Sequence, residues 1–189
     1  MPLTPVNITA SLVGSLSASG MLGTGASQLA VGIASGVMLW VGQLTVTTVD
    51  VGTLGVGAGT FPCVIPQPLL LAAMLSSFPA TGHLGSMSLL LATGIANGLA
   101  AAFPQGLITT VNPTVGVGTA TCIFPGPSAV PSMIAGFKSA GMNGPATEKT
   151  ATAVGMGLDI AFGSYVQPIP IVGPPSPSPS SGTGTGKIL

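Results

Sequence analysis

The sequence predicts a mainly α chain: three repeated helix-hairpin units, joined by extended or β arms, with an extended Pro/Ser/Gly tail at the C-terminus. Three observations predict this. Segments recur at a near-constant spacing, apolar residues fall at helical intervals broken by paired glycines, and Val/Thr/Gly stretches separate the helical segments. The repeat carries the most weight, because a period of 20–50 residues or slightly more marks stacked units that share one core.

The second and third thirds align without a gap from Cys63 to Phe162, at the spacing set by Cys63 and Cys122. In that frame Met74 falls on Met133, Phe78 on Phe137, Gly82 on Gly141, Gly98 on Gly157 and Leu99 on Leu158. The first third joins at the spacing set by Gly20 and Gly82, with Leu22 on Leu84 and VGIASGV (31–37) on TGIANGL (93–99). A frame that also matches Cys, Met and Phe is hard to reach by chance, even in a chain rich in Gly, Ala and Ser. The units span 1–43, 63–105 and 122–163, the arms 44–62 and 106–121, and the tail 164–189.

Each unit opens near a proline and runs into a helix, over 8–19, 69–79 and 128–140. Pairs such as Leu12/Leu16, Met74/Phe78 and Met133/Phe137 lie four apart, on one helical face. A Gly-x-x-Gly corner follows at Gly20/Gly23, Gly82/Gly85 and Gly141/Gly144, where glycine reaches left-handed backbone cheaply and ends a helix. Second helices are predicted over 25–41, 86–103 and 145–162, the third opening on Pro145, whose missing N–H costs nothing there. The links LTVTTVDVGTLGVGAGT (44–60), LITTVNPTVGVGTAT (107–121) and YVQPIPIVG (165–173) read as strands or extended arms. PPSPSPSSGTGTG, from Pro174, has the composition of a semi-extended linker. The pattern leaves open whether the units form a ring or a row.

Composition narrows the function. Of 189 residues, 3 are Lys or Arg and 3 are Asp or Glu, so 3% are charged and the net charge is +0. Soluble domains average about 25% charged. Nucleic-acid binding is excluded, since Lys138, Lys149 and Lys187 cannot replace a phosphate counterion atmosphere. Ordinary disorder is excluded by 47% hydrophobic residues. A surface this poor in ions associates in water, so most of it is expected to face other subunits of an assembly, homo- and hetero-oligomeric, or lipid. The start MPLTPVNITASL lacks the basic n-region of a secretory signal.

The chemistry-bearing residues are few. Cys63 with His83 is the one nucleophile-and-base pairing on offer, a small Cys/His hydrolase, but His83 corresponds to Met21 and Met142, which marks a packing position. Glu148 and Asp159 lie about 16 Å apart by helical rise on one helix, too far for paired carboxylates. Two cysteines and one histidine fall short of a zinc site. Cys63 and Cys122 sit at equivalent links, as a disulfide or as two small buried groups. GVGAGT (55–60) lacks the lysine of a phosphate-binding loop. No catalytic, cofactor-binding or metal residue is expected, and no cofactor.

Gly32-Ile33-Ala34-Ser35-Gly36 and Gly94-Ile95-Ala96-Asn97-Gly98 carry the small-xxx-small spacing of closely packed helices, common in membranes. The candidate spans 25–41 and 86–103 are short for a bilayer and lack flanking lysines or an aromatic belt. Asp159, Lys138, Glu148 and Lys149 place four of the six charges in the third unit, which is expected to meet more water or a different partner.

In layout the chain resembles a structural component of a tailed-phage virion, in the tail, baseplate or neck: near-neutral, rich in Gly, Ala and Thr, with helix hairpins, β-like arms and an extended tail. The resemblance rests on style rather than on a motif. It implies a non-enzymatic virion protein that binds neighbouring subunits through apolar helices and by strand addition through its arms. It assigns no role to any single residue. The alternative is a small membrane protein of repeated short helices, pore- or holin-like.

Overall fold

The computed structural model describes residues 3–42, 45–50, 56–60, 67–102, 107–114, 117–123, 129–163 and 182–187. The protein is mainly helical, with six α-helices among the described residues: α1 (Pro5–Ala18), α2 (Thr24–Val41), α3 (Gln67–Ser77), α4 (Ser86–Ala102), α5 (Ala129–Ser139) and α6 (Pro145–Gly163). Five strands accompany them: β1 (Thr45–Asp50), β2 (Val56–Thr60), β3 (Leu107–Thr114), β4 (Val117–Ile123) and β5 (Gly182–Lys187).

Local chemistry sets the helix ends. The side chain of Thr4 accepts the Asn7 N–H at 3.3 Å and Pro5 opens the first turn, so α1 begins three residues before the apolar periodicity does. Its end is a Schellman turn: Gly20 N–H bonds the Ser17 carbonyl and Met21 N–H bonds the Leu16 carbonyl. The same two bonds close the second corner, Gly82 to Pro79 and His83 to Phe78, and the third, Gly141 to Lys138 and Met142 to Phe137. Gly20, Gly82 and Gly141 take φ of 80°, 84° and 86°, and the next glycine in each corner (Gly23, Gly85 and Gly144) is also at positive φ as α2, α4 or α6 begins.

Glycines facing the neighbouring helix decide the packing. A Cβ on Gly36 would lie 2.7 Å from the Met74 sulfur, and one on Gly32 2.8 Å from the Phe78 ring, so α2 and α3 approach at their backbones. Between α4 and α5, a Cβ on Gly98 would lie 2.8 Å from Met133 Cα and one on Gly94 3.0 Å from Phe137 Cα. Gly157 of α6 faces Leu12 of α1 in the same way, at 2.9 Å from its Cα. In the first two pairs, contacts move down one helix as they move up the other, so the helices are antiparallel. Thr150 near Met21 and Gly157 near Leu12 show the same for α6 and α1. Adjacent packing thus runs α1–α2–α3–α4–α5–α6 and back to α1, a closed ring.

One core fills that ring. Ile8, Leu12 and Leu16 form a narrow buried stripe on α1, while α2 buries a broader arc that includes Leu29, Ile33, Val37 and Trp40. Ile95 and Leu99 of α4 and Val154 and Leu158 of α6 are wholly buried, as Ile33 and Val37 of α2 are. The first helix of each pair therefore seals the outside, and the second lines the centre. Because the corners join α1 to α2, α3 to α4 and α5 to α6, all three lie at one end of the bundle; α2, α4 and α6 run away from it towards the strand-bearing links.

The arms differ from expectation in their partner. Read from sequence, they are free to add to neighbouring chains. The structure pairs them with one another in a five-stranded antiparallel sheet of order β4-β3-β2-β1-β5. The Val/Thr alternation that suits an intermolecular strand suits an intramolecular one equally, and the ring brings both links to one end. Of the tail, Gly182–Lys187 lies along β1, with Thr45 opposite Lys187 and Asp50 opposite Gly182. The register of β3 against β4 shifts by one between Val111 and Thr114, where Pro113 has no N–H for the ladder. The arm 165–173 and the linker from Pro174 to Ser181 lie outside the described residues.

Gly136 makes the closest approach of all: a Cβ there would collide with the Gly94 carbonyl oxygen and the Gly98 nitrogen. Gly136→Ala is expected to cost about 3 kcal/mol or more, because backbone cannot yield as a side chain can. Gly14, also helical but with open space around it, serves as control: Gly14→Ala should gain up to about 1 kcal/mol from helix propensity. Urea unfolding followed by circular dichroism measures both.

Candidate functional site

Among the described residues, those with reactive side chains do not assemble into one cluster. Among the described residues no group of three or more His, Cys, Asp or Glu side chains could hold a metal ion. Cys63 lies outside the described residues, so its proposed pairing with His83 or Cys122 has no geometry. Cys122 falls in β4, opposite Ile108 of β3.

His83 has a specific place. It follows Gly82 at the position where a Schellman turn seats an apolar residue against the last helical turn. Its ring stands 5.6 Å from the Phe78 ring, tilted by 42°, and Nδ1 lies 3.3 Å from the Thr81 hydroxyl. Met21 and Met142 fill the same place beside Leu16 and Phe137. The substitution of His for Met is therefore a packing choice with a polar edge turned to Thr81.

The charges gather on α5 and α6. Lys138 Nζ and Glu148 Oε1 pair at 2.9 Å across the third corner, with both side chains about half exposed (50% and 52%). An exposed pair of this kind contributes less than about 1 kcal/mol. Lys149 follows Glu148 in the opening turns of α6, and Asp159 sits towards its other end.

The helices also expose large apolar side chains among uncharged polar ones. Val6 on α1, Val31 and Leu39 on α2, Leu69 and Leu75 on α3, and Met87 and Leu89 on α4 are all exposed. Met156 and Ile160 continue this on α6. Other outward positions are small, such as Ala10, Gly14, Ala72 and Ala135, or polar and uncharged, such as Ser17, Ser27, Gln28 and Ser76. Leu22 (76%) and Leu84 (72%) are, with Val6 (74%), the most exposed large apolar residues, each leucine between the two glycines of its corner; Asn143 holds the third corner. Among the described residues α2 alone has the length and apolarity to cross a membrane, 18 residues at mean hydropathy 1.3, with half of it buried.

All six corner glycines occupy the turns expected of them. Sequence reasoning missed two features. One is the seat between successive pairs, in which Gly36, Gly98 and Gly157 receive Met74, Met133 and Leu12; the signal was present, since each glycine sits at one register and each acceptor at another. The second is the exposed residue inside each corner, visible as Leu22 aligned on Leu84. No family model, curated protein or solved structure matches the chain.

If His83 is a packing residue, His83→Met leaves thermal stability within about 1 kcal/mol of the parent, in line with a tolerated volume-conserving exchange. A thermal melt at pH 7 decides; a loss of several kcal/mol would assign His83 a further role.

Proposed function

We propose that this protein is a non-enzymatic structural subunit of a large protein assembly, of the kind found in the tail, baseplate or neck of a phage virion. In this reading it is three copies of one helical hairpin closed into a ring, with its arms gathered at one end. Neighbouring subunits bind its apolar helix faces. The edges of the five-stranded sheet, β4 and β5, offer unpaired backbone for strand addition.

One observation carries the reading. The ring's helices share one buried core and approach at backbone distance, yet large apolar side chains remain exposed on the outside, and four of the six charges lie on α5 and α6. An exterior this poor in ions is costly to expose to water and inexpensive to bury against protein, because few charges have to be desolvated. Equivalent positions support the repeat: Ile33, Ile95 and Val154 are all buried, as are Val37, Leu99 and Leu158.

The alternative, a membrane protein of short helices, draws on the apolarity of α2. Two measurements separate the readings. Expressed alone without detergent, the protein should stay soluble and associate with rising concentration in sedimentation velocity; a stable monomer at all concentrations would refute the assembly reading, and recovery only with detergent would favour the membrane. The chain has no Arg and three Lys, so trypsin yields the peptides 139–149 and 150–187. These should appear in digests of purified virus particles in stoichiometric amounts; their confinement to a membrane fraction would overturn the virion placement.

A further inference from the structure

We propose that the two edges of the sheet, β4 and β5, take one and the same strand, and that this strand is the chain's own segment 166–170. The proposal names what those edges bind. It goes beyond the assembly reading and rests on the sheet alone.

The described strands obey the threefold repeat in register as well as in order. The repeat frame puts Thr47 and Val49 of β1 on Thr109 and Val111 of β3, and Val56 of β2 on Val117 of β4. Within the hairpins, Val49 lies opposite Ala58 and Val111 opposite Thr119, which are equivalent pairs. Between the hairpins, Val56 lies opposite Val111 and Thr60 opposite Leu107. β5 repeats that ladder on β1, with Thr183 opposite Val49 and Lys187 opposite Thr45. So β5 stands to β1 as β2 stands to β3. It is the second strand of a third hairpin, and the first strand of that hairpin belongs between β5 and β4.

Chain geometry brings 166–170 to that place. The ungapped frame that sets Phe103 on Phe162 sets Leu107–Val111 on 166–170. β1 starts at Thr45 soon after α2 ends at Val41, and β3 at Leu107 soon after α4 ends at Ala102. The third helix of this kind, α6, ends at Gly163. Applied to the third junction, the shared register sets Thr121 opposite Val166, Ala120 opposite Gln167 and Val117 opposite Pro170.

Two prolines shape the pairing. Pro168 and Pro170 are two apart, so their missing N–H groups fall on one side of the strand and that ladder loses two donors. Their carbonyls remain, so the outward N–H groups of β4 and β5 still find acceptors. Strand addition of this kind draws on backbone and needs no charge. It also removes the two edges that would otherwise recruit foreign strands.

Cysteine pairs test this on the full chain, in a Cys63→Ser/Cys122→Ser background. Directly opposed residues stand about 4.5–5.5 Å apart at Cα, within disulfide reach. Under mild copper–phenanthroline oxidation, Ala120→Cys/Gln167→Cys should link within one chain, read by mass spectrometry as tryptic peptide 1–138 joined to 150–187 in a protein that runs as a monomer on a non-reducing gel. Ala120→Cys/Val166→Cys should link at least about tenfold less, because a one-residue step turns the side chain to the other face. In the parent protein, amide hydrogen exchange should be slow at each of Gly118, Thr119, Ala120 and Thr121; an open edge would leave alternate amides exchanging at least about tenfold faster. That alternation, or no 120–167 link with an unchanged circular dichroism spectrum, would overturn the proposal. Equal linking in the two variants would overturn the register. A link found only between two chains would give the edges to a second copy and overturn it too. A protein that carries the link yet stays monomeric at every concentration would overturn the assembly reading alone.

Discussion

The constraint on which the whole fold depends is the backbone-to-backbone approach of helices from successive pairs. Glycine at the facing position lets α2 lie against α3 and α4 against α5 at distances where a single methyl group would collide with main-chain atoms or a side chain. Such helices are weak by propensity: each interior glycine costs about 1 kcal/mol relative to alanine. What is lost locally is recovered in close contact, since dispersion attraction falls off steeply with separation. This contact accounts for the helical glycines that face a neighbouring helix, Gly32, Gly36, Gly94, Gly98, Gly136, Gly155 and Gly157.

Size matching tunes the three seats individually. Gly32 and Gly94 admit the rings of Phe78 and Phe137. In the seat between α6 and α1 the corresponding positions hold Ala153 and Leu16, both fully buried. A larger residue on one side accompanies a smaller one on the other, keeping the volume between the helices close to constant. At the position equivalent to Ser77, whose hydroxyl bonds the Gly32 carbonyl at 2.7 Å, α5 carries Gly136 and gives up the hydrogen bond for a closer approach. The seats are variations on one packing solution.

Much of this was legible in the sequence. The four-residue spacing of Leu12/Leu16, Met74/Phe78 and Met133/Phe137 located the outer helices within a few residues, and the paired glycines located the corners, because both signals are local and have one physical reading. Helix starts were less legible at α1, where Thr4 and Pro5 cap the helix before its apolar stripe begins. Ring closure was not readable, since Gly157 against Leu12 joins residues far apart in the chain. The destination of the arms was also hidden: alternating Val and Thr specifies a strand but not its neighbour, and the β2–β3 pairing depends on where the ring places the links. For the reactive residues, the alignment of His83 with Met21 and Met142 pointed to packing before any geometry did, whereas nothing local to Leu22 or Leu84 distinguished exposure from burial.

Closure of the ring is the claim most directly open to measurement, by amide hydrogen exchange read residue by residue on the isolated protein. Locked glycine seats predict that the slowest exchange falls on the inner helices α2, α4 and α6 alike, and on residues 8–16 of α1 where α6 covers them. Exchange of α1 and α6 at near-unprotected rates, with α2 to α5 protected, would mean an open row of helices and contradict the account.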